Sequence, residues 1–390
     1  MVKAGALVGL CALVTLFASA ALANPADIVK WDPAMGESRA VIDTNGVKWI
    51  DGKYLPIEGR WTLGDTQNYY SRLPDTLTTN VIYGVRAMRQ YTSGMQFRFR
   101  TNSRFLIVRM KPLKGWYSMG HMTEVATSGW DVYRYDVPAK AWHFVASNHG
   151  NRDVAGRPGW REKRIPWKPG DACIINLPLY NGISGFELGL ASDGKIEALG
   201  PRASGVDKPV VFYGTSITHG GCATRPGLAW VNIVGRALDV PIFGLGFSGS
   251  GVMEFEVSEN IARIDASCYV LDCLWNMYSD KSGRGPRCVE GYYEKFIRNL
   301  RAKRPGVPIV MAEQSDVFRG GPNPKDVFMK SLYEKLVAEG WTDLVYLPKD
   351  EMFADDFEGT VDGCHPNDLG MQTMANAFAK AVREALKLRK

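Results

Sequence analysis

Short runs of alternating apolar and polar residues fill the chain from about Arg60 to Ala191. Gln96-Phe97-Arg98-Phe99-Arg100, Phe105-Leu106-Ile107-Val108-Arg109-Met110, Asp131-Val132-Tyr133-Arg134-Tyr135, Trp142-His143-Phe144-Val145 and Ala172-Cys173-Ile174-Ile175-Asn176-Leu177 each read as a strand, with Gly, Pro and Asn punctuating the intervals. Side chains on a strand alternate between its two faces, so this pattern predicts an antiparallel β-sandwich. Beyond Arg202-Ala203-Ser204-Gly205, the expected linker, the rhythm changes. Apolar runs at Val210 to Tyr213, Ile242 to Leu245, Cys268 to Leu274, Ile309 to Ala312 and Leu344 to Leu347 alternate with helical stretches around Leu228 to Leu238, Phe255 to Ile264, Tyr292 to Lys303, Lys325 to Glu339 and Leu369 to Leu386. Strands alternating with helices imply a parallel, doubly wound sheet. The expected fold is therefore α/β, with an antiparallel sandwich over 24–204 preceding a three-layer domain over 205–390. No internal repeat or low-complexity tract interrupts this plan.

In a doubly wound sheet, functional groups gather outside the carboxyl ends of the strands. Ser216 follows the first strand, the glycine-rich Gly246 to Gly251 the second, Asn276 the third, Glu313 and Gln314 the fourth, and Asp362 and His365 lie beyond the fifth. Each has a plain structural reading: Ser216 as a helix N-cap, Asn276 as a turn residue, and the glycine run as a tight turn without the Lys-Ser/Thr ending of a phosphate loop. Their convergence on one rim is harder to explain by packing. Ser216, His365 and Asp362 supply a nucleophile, a base and an orienting carboxylate. The Gly249 N–H and the Asn276 side chain supply donors for an oxyanion. His365 has few rivals among five histidines: His219 is too close along the chain to Ser216, His143 falls in a strand, and His121 and His149 fall in loops. Thr218 occupies the place of the second glycine of a Gly-x-Ser-x-Gly elbow, and the acid and base stand only three residues apart, which argues against an α/β-hydrolase.

Composition narrows the setting. The 390 residues are 45% hydrophobic, enough to bury a sizeable core in two domains. Lys3, the apolar Ala4 to Ala18 and the small-residue site Ala21-Leu22-Ala23 read as a secretory signal over 1–23, with Asn24 the expected mature start. The alternative, an uncleaved anchor, would need an apolar run of ~20 residues. The expected localisation is secreted or periplasmic, with no stable membrane insertion. Removing Lys3 lowers the formal charge from +6 to +5. Lys and Arg are interspersed with acids, so no nucleic-acid footprint is visible. Export permits disulfides among the six remaining cysteines, and a Cys222–Cys364 bridge would tie the two chemistry-bearing segments together, with two buried free thiols as the plain alternative. No Cys-x-x-Cys pair or histidine spacing marks a metal site.

The residues resemble the four blocks of the SGNH (GDSL-like) hydrolases. Gly214-Thr215-Ser216-Ile217-Thr218 is similar to the nucleophile block, Gly249 to the second-block glycine, Asn276 to the third-block asparagine and Asp362-x-x-His365 to the last block. Gly129-Trp130-Asp131-Val132-Tyr133 resembles the GxDLY motif of a bacterial subgroup with an N-terminal β-domain, with Val in place of Leu. Two departures stand out: Thr215 replaces the Asp of the GDS form, and Gly244 stands where many relatives have Asn. The resemblance implies a flavodoxin-like three-layer domain, an oxyanion hole of the Ser216 N–H, the Gly249 N–H and the Asn276 side chain, and a serine esterase that needs no metal or organic cofactor. Expected substrates are acylated small molecules or polysaccharides, foremost O-acetyl groups on carbohydrates. Trp116, Tyr117, Trp130, Trp142 and Trp160 are candidates for stacking on sugar rings, or core residues of the sandwich. A lipid or thioester hydrolase on the same residues and a non-catalytic glycan-binding protein are the competing readings. Protein partners are not legible.

Overall fold

The computed structural model describes residues 32–389 except 286, 317–322, 354, 355 and 357. The expected signal segment, 1–23, lies outside the described residues. In chain order the antiparallel strands are β1 (Val41–Ile42), β2 (Val47–Asp51), β3 (Ile57–Glu58), β4 (Gln96–Thr101), β5 (Phe105–Pro112), β6 (Asp131–Asp136), β7 (Ala141–Ser147), β8 (Arg152–Asp153), β9 (Arg161–Pro166), β10 (Ala172–Asn176), β11 (Ile183–Ala191) and β12 (Ile196–Glu197). Short helices α1 (Pro33–Arg39), α2 (Tyr83–Met88) and α3 (Glu124–Ser128) lie among them. They form two sheets, of order β1-β2-β11-β5-β9-β8 and β12-β4-β10-β6-β7 with β3 also on β4. Alternate residues fill the space between: Phe97 and Phe99 of β4 and Cys173 and Ile175 of β10 from one sheet, Leu106, Val108 and Met110 of β5 and Phe186, Leu188 and Leu190 of β11 from the other. Trp130 is fully buried in this core, so of the aromatic stacking candidates it is a packing residue.

The parallel sheet comprises β13 (Val210–Gly214), β14 (Ile242–Gly246), β15 (Cys268–Asp272), β16 (Ile309–Ala312) and β17 (Leu344–Leu347), in the order β14-β13-β15-β16-β17. This is the flavodoxin-like doubly wound order. The helices are α4 (Ser216–His219), α5 (Trp230–Leu238), α6 (Phe255–Ile261), α7 (Val289–Lys303), α8 (Pro324–Ala338) and α9 (Asp368–Ala385). The strands are apolar throughout because both faces are covered. Val211 and Tyr213 of β13, Tyr269 and Leu271 of β15 and Ile309 and Met311 of β16 pack under α6, α7 and α8. Val210, Phe212, Cys268, Val270 and Val310 face the opposite way, onto α5 and α9. Earlier parts of the chain complete both layers: Trp61, Leu73, Leu77, Val81 and Val85 join the first cluster, and Met122, Ala126, Leu179 and Tyr180 the second.

Several element ends differ from the sequence expectation; the helix expected from Tyr292, for one, begins at Val289. The third strand stops at Asp272 and Leu274–Asn276 turns in a 3-10 helix, which swings Asn276 toward the rim. The Phe255 helix ends at Ile261, three residues short of the expected Ile264. All six described cysteines are free thiols, so the Cys222–Cys364 bridge is not formed. Among the described residues no helix is long and apolar enough to cross a membrane.

Candidate active site

Ser216 opens α4 immediately after β13. Thr215 is the N-cap, its side chain accepting from Ile217 N–H, and Gly220 ends the turn at φ 96, a conformation glycine adopts without steric cost. The residue that replaces the Asp of the GDS form is thus the cap of the helix that Ser216 opens. The turn is tight because small residues surround it. A Cβ on Gly214 would lie 2.1 Å from Thr218 Oγ1, and one on Gly246 2.1 Å from the His219 nitrogen. Ser216 itself is 8% exposed.

His365 arrives from the loop before α9. Ser216 Oγ is 2.8 Å from His365 Nε2, and His365 Nδ1 is 2.8 Å from Asp362 Oδ2. The other Asp362 oxygen accepts from the His365 N–H at 2.7 Å and the Cys364 N–H at 3.0 Å. Burial works against the Asp362 charge, but the backbone and ring hydrogen bonds from His365 outweigh it and hold the carboxyl at about 2. A carboxylate that stays ionised fixes the proton on Nδ1 and leaves Nε2 free to accept from the serine. Pro366 and the N-cap Asn367, which accepts from Gly370 N–H, start α9 just beyond and anchor the loop. Glu313, singled out at the fourth strand end, turns away from this trio: its carboxylate binds the Tyr346 hydroxyl and, at 2.8 Å, the Lys349 N–H.

The glycine loop and Asn276 face the same rim. Gly249 has φ 64, and a Cβ there would meet no atom within 4 Å, as expected for backbone bordering an open cleft. Asn276 satisfies its amide with Oδ1 accepting from the Ser250 N–H at 3.0 Å and the Gly251 N–H at 3.1 Å, which turns Nδ2 outward as a donor. The amide thereby ties the third-strand turn to the glycine loop. Lys325 braces that turn from behind, donating to the carbonyls of Leu274 at 2.7 Å and Met277 at 3.2 Å and to Gln314 Oε1.

Two residues with a part in this geometry, Arg72 and Asp272, had no signal in a linear reading. Arg72 is fully buried and donates to the carbonyls of Gly244 at 3.1 Å, Gly246 at 3.0 Å and Met88 at 2.8 Å, with its guanidinium 4.8 Å from the Phe247 ring centroid. It clamps the end of β14 from which the glycine loop departs. Gly244 permits this support from the earlier part of the chain: a Cβ there would lie 3.0 Å from Gly94 Cα and from the Ser93 carbonyl. Asp272, paired in register with Gly214, is 1% exposed and accepts from Thr218 Oγ1 at 2.7 Å beneath the Ser216 turn. Burial pushes its carboxyl up to about 7. His219 is buried and stacks on Tyr180 at 4.4 Å, and burial followed by the nearby Arg72 lowers its pKa well below the ordinary value. It is a neutral packing residue, away from the serine hydroxyl. Cys222 and Cys364 flank the site as thiols whose pKa values burial raises to about 11 and about 12.

A hydroxyl in contact with an imidazole, itself oriented by an ionised carboxylate and facing backbone and amide donors, is an arrangement for acyl transfer through a serine. Among the described residues no group of three or more His, Cys, Asp or Glu side chains is placed to hold a metal ion.

Residues 207–383 match the family model of the GDSL-like lipase/acylhydrolase family. Residues 47–196 match the model for the N-terminus of SGNH-hydrolase-type esterases, named GxDLY. No curated protein matches the chain in sequence. Among solved structures, one described as a GDSL-like lipase from Bacteroides ovatus ATCC 8483 is 26% identical at a TM-score of 0.71, covering 88% of this chain and 99% of its own. The salicylyl-acyltransferase SsfX3 from a tetracycline biosynthetic pathway is 19% identical at TM-score 0.70, covering 89% and 100%. A family two carbohydrate esterase from Cellvibrio japonicus is 12% identical at TM-score 0.57, covering 87% and 98%. The last two likenesses are of fold.

Proposed function

We propose for this chain, which belongs to the SGNH (GDSL-like) hydrolase family and is an esterase by that membership, that it is an exported enzyme that removes O-acetyl groups from carbohydrates. The assignment of 1–23 to a signal segment, 24–204 to the β-domain and 205–390 to the hydrolase domain is part of this proposal. The observation that carries the chemistry is the continuous hydrogen-bonded line from Ser216 Oγ through His365 to Asp362, with both links at 2.8 Å.

His365 Nε2 takes the Ser216 proton as Oγ bonds to the ester carbonyl carbon. The carbonyl π pair moves onto oxygen, where the Ser216 N–H, the Gly249 N–H and Asn276 Nδ2 receive the charge. Collapse breaks the bond to the leaving oxygen, which takes the proton from His365 and departs as the alcohol. Water, deprotonated by His365, then attacks the acetyl-serine; acetate leaves and Ser216 recovers its proton. Asp362 stays ionised and holds the imidazole throughout. The carbohydrate half of the reading draws support from the β-domain preceding the hydrolase domain and from the fold shared with a family two carbohydrate esterase.

Acetate release from acetylated polysaccharides and from p-nitrophenyl acetate tests both halves. Ser216→Ala should lose all but a residue of the activity, and equal rates for the two proteins would refute the serine mechanism. Turnover of long acyl chains in preference to acetyl would replace the carbohydrate reading with the lipid one.

A further inference from the structure

We propose that His121, carried by the β-domain, is a substrate-binding residue that hydrogen-bonds a hydroxyl on the alcohol half of the ester, next to the leaving oxygen. The proposal rests on the carbohydrate-ester reading above and deepens it. The His121 ring centroid lies 6.2 Å from that of His365, with the planes inclined at 36°. His121 is exposed, and its ring nitrogens have no hydrogen-bond partner among the described residues. A neutral imidazole offers one donor and one acceptor, which a sugar hydroxyl can match.

The position of His121 is built. The Met119 N–H donates to the Met122 carbonyl at 3.0 Å and the Met122 N–H to the Met119 carbonyl at 3.1 Å, leaving Gly120 and His121 at the tip of a two-residue turn. Met122 is 5% exposed in the core beneath α5 and α9, and Met119 packs against the same cluster. Thr123 Oγ1 donates to the Thr224 carbonyl at 2.7 Å. Thr224 in turn donates through its N–H at 2.9 Å and its hydroxyl at 2.5 Å to Asp368, the first residue of α9 and three positions past His365. One line of hydrogen bonds thus references the His121 turn to the His365 loop. A group held in place before substrate arrives loses little freedom on binding. The leaving alcohol must take its proton from His365 Nε2, so that half of the substrate sits against the His365 ring, on which the His121 turn is aligned.

Steady-state kinetics of wild type, His121→Ala and His121→Gln on three esters tests this: p-nitrophenyl acetate, a mono-O-acetylated pyranoside with a free neighbouring hydroxyl, and its deoxy analogue lacking that hydroxyl. His121→Ala should lower kcat/KM on the pyranoside about three- to tenfold, mainly through KM, the effect of one neutral hydrogen bond. It should leave the aryl ester and the deoxy sugar within about twofold, and His121→Gln should recover part of the loss. Equal losses on all three esters would show that His121 acts on the fold or the hydrolytic residues, and no loss on the pyranoside would show that it does not touch the alcohol; either overturns the proposal. A wild type that cleaves the aryl ester but no sugar acetate refutes the carbohydrate reading itself, and the His121 assignment falls with it.

Discussion

The buried carboxyl of Asp272 should impose a measurable pH dependence on folding stability. Its folded pKa of about 7 stands above the ordinary 3.8, with burial as the leading cause and the Thr218 hydroxyl opposing it. The folded protein therefore keeps this proton to about pH 7, whereas an unfolded chain releases it near 3.8. Between those values the folded state binds more protons, so the stability contributed by Asp272 is complete below about pH 4, declines as pH rises, and is exhausted above about 7. At about 1.4 kcal/mol per pH unit, the span sets an upper bound on the order of 4 kcal/mol. Asp272→Asn keeps the shape of the protonated acid and removes the titration. Urea unfolding of both proteins from pH 4.5 to 8 reads the effect. The stability of the Asn variant relative to wild type should climb with pH and level off near pH 7.5. A difference that stays constant across the range would refute the reasoning, because every other titrating group is common to the two proteins.

Three further outcomes follow from the site. Asn276→Ala removes the amide donor and the acceptor for the Ser250 and Gly251 N–H groups, and should lower kcat by about 10²–10³-fold with KM little changed; a loss confined to KM would place Asn276 in ground-state binding. Asp362→Asn should cost roughly 10²-fold or more in kcat. Because the folded Asp362 carboxyl is depressed to about 2, its support is present above about pH 4 and lost only as pH falls toward 2, so an acid limb near pH 6 in the wild-type profile must come from another group. Arg72→Met strips donors from the Gly244, Gly246 and Met88 carbonyls and should destabilise the protein by about 2–4 kcal/mol while lowering kcat; an unchanged urea midpoint would dismiss the clamp.

Where sequence and structure agree, the reason is local periodicity. Val210 to Gly214 has no polar position because both faces of β13 are covered, and that apolar run is visible in one dimension. Ser216, Gly249 and Asn276 are noticeable because each follows such a run near a strand end, and His365 because it stands three residues after Asp362 just before the last helix. Arg72 is not, since an arginine in a loop looks solvated until the carbonyls it serves, 172 and 174 residues away, are brought to it. Asp272 falls inside the run expected as the third strand, Cys268 to Leu274, where nothing marks it; only the α4 turn above it makes it a buried acid with a partner. His121 has no periodic context, and its nearness to His365 arises from two methionines sunk into the core of the parallel-sheet domain.

Sequence alone determined the α/β class, the parallel order of layers and the residue types available at the rim, because binary patterning and glycine placement act within a few residues along the chain. Tertiary structure alone decided that Ser216 Oγ meets His365 Nε2 across 149 residues, that both cysteines beside them stay thiols, and that the earlier part of the chain supplies Arg72 beneath the site and His121 at its edge. Those contacts join groups far apart in sequence. Their distances and burial exist only once the layers have packed, and packing is also what raises Asp272 and holds Asp362 down.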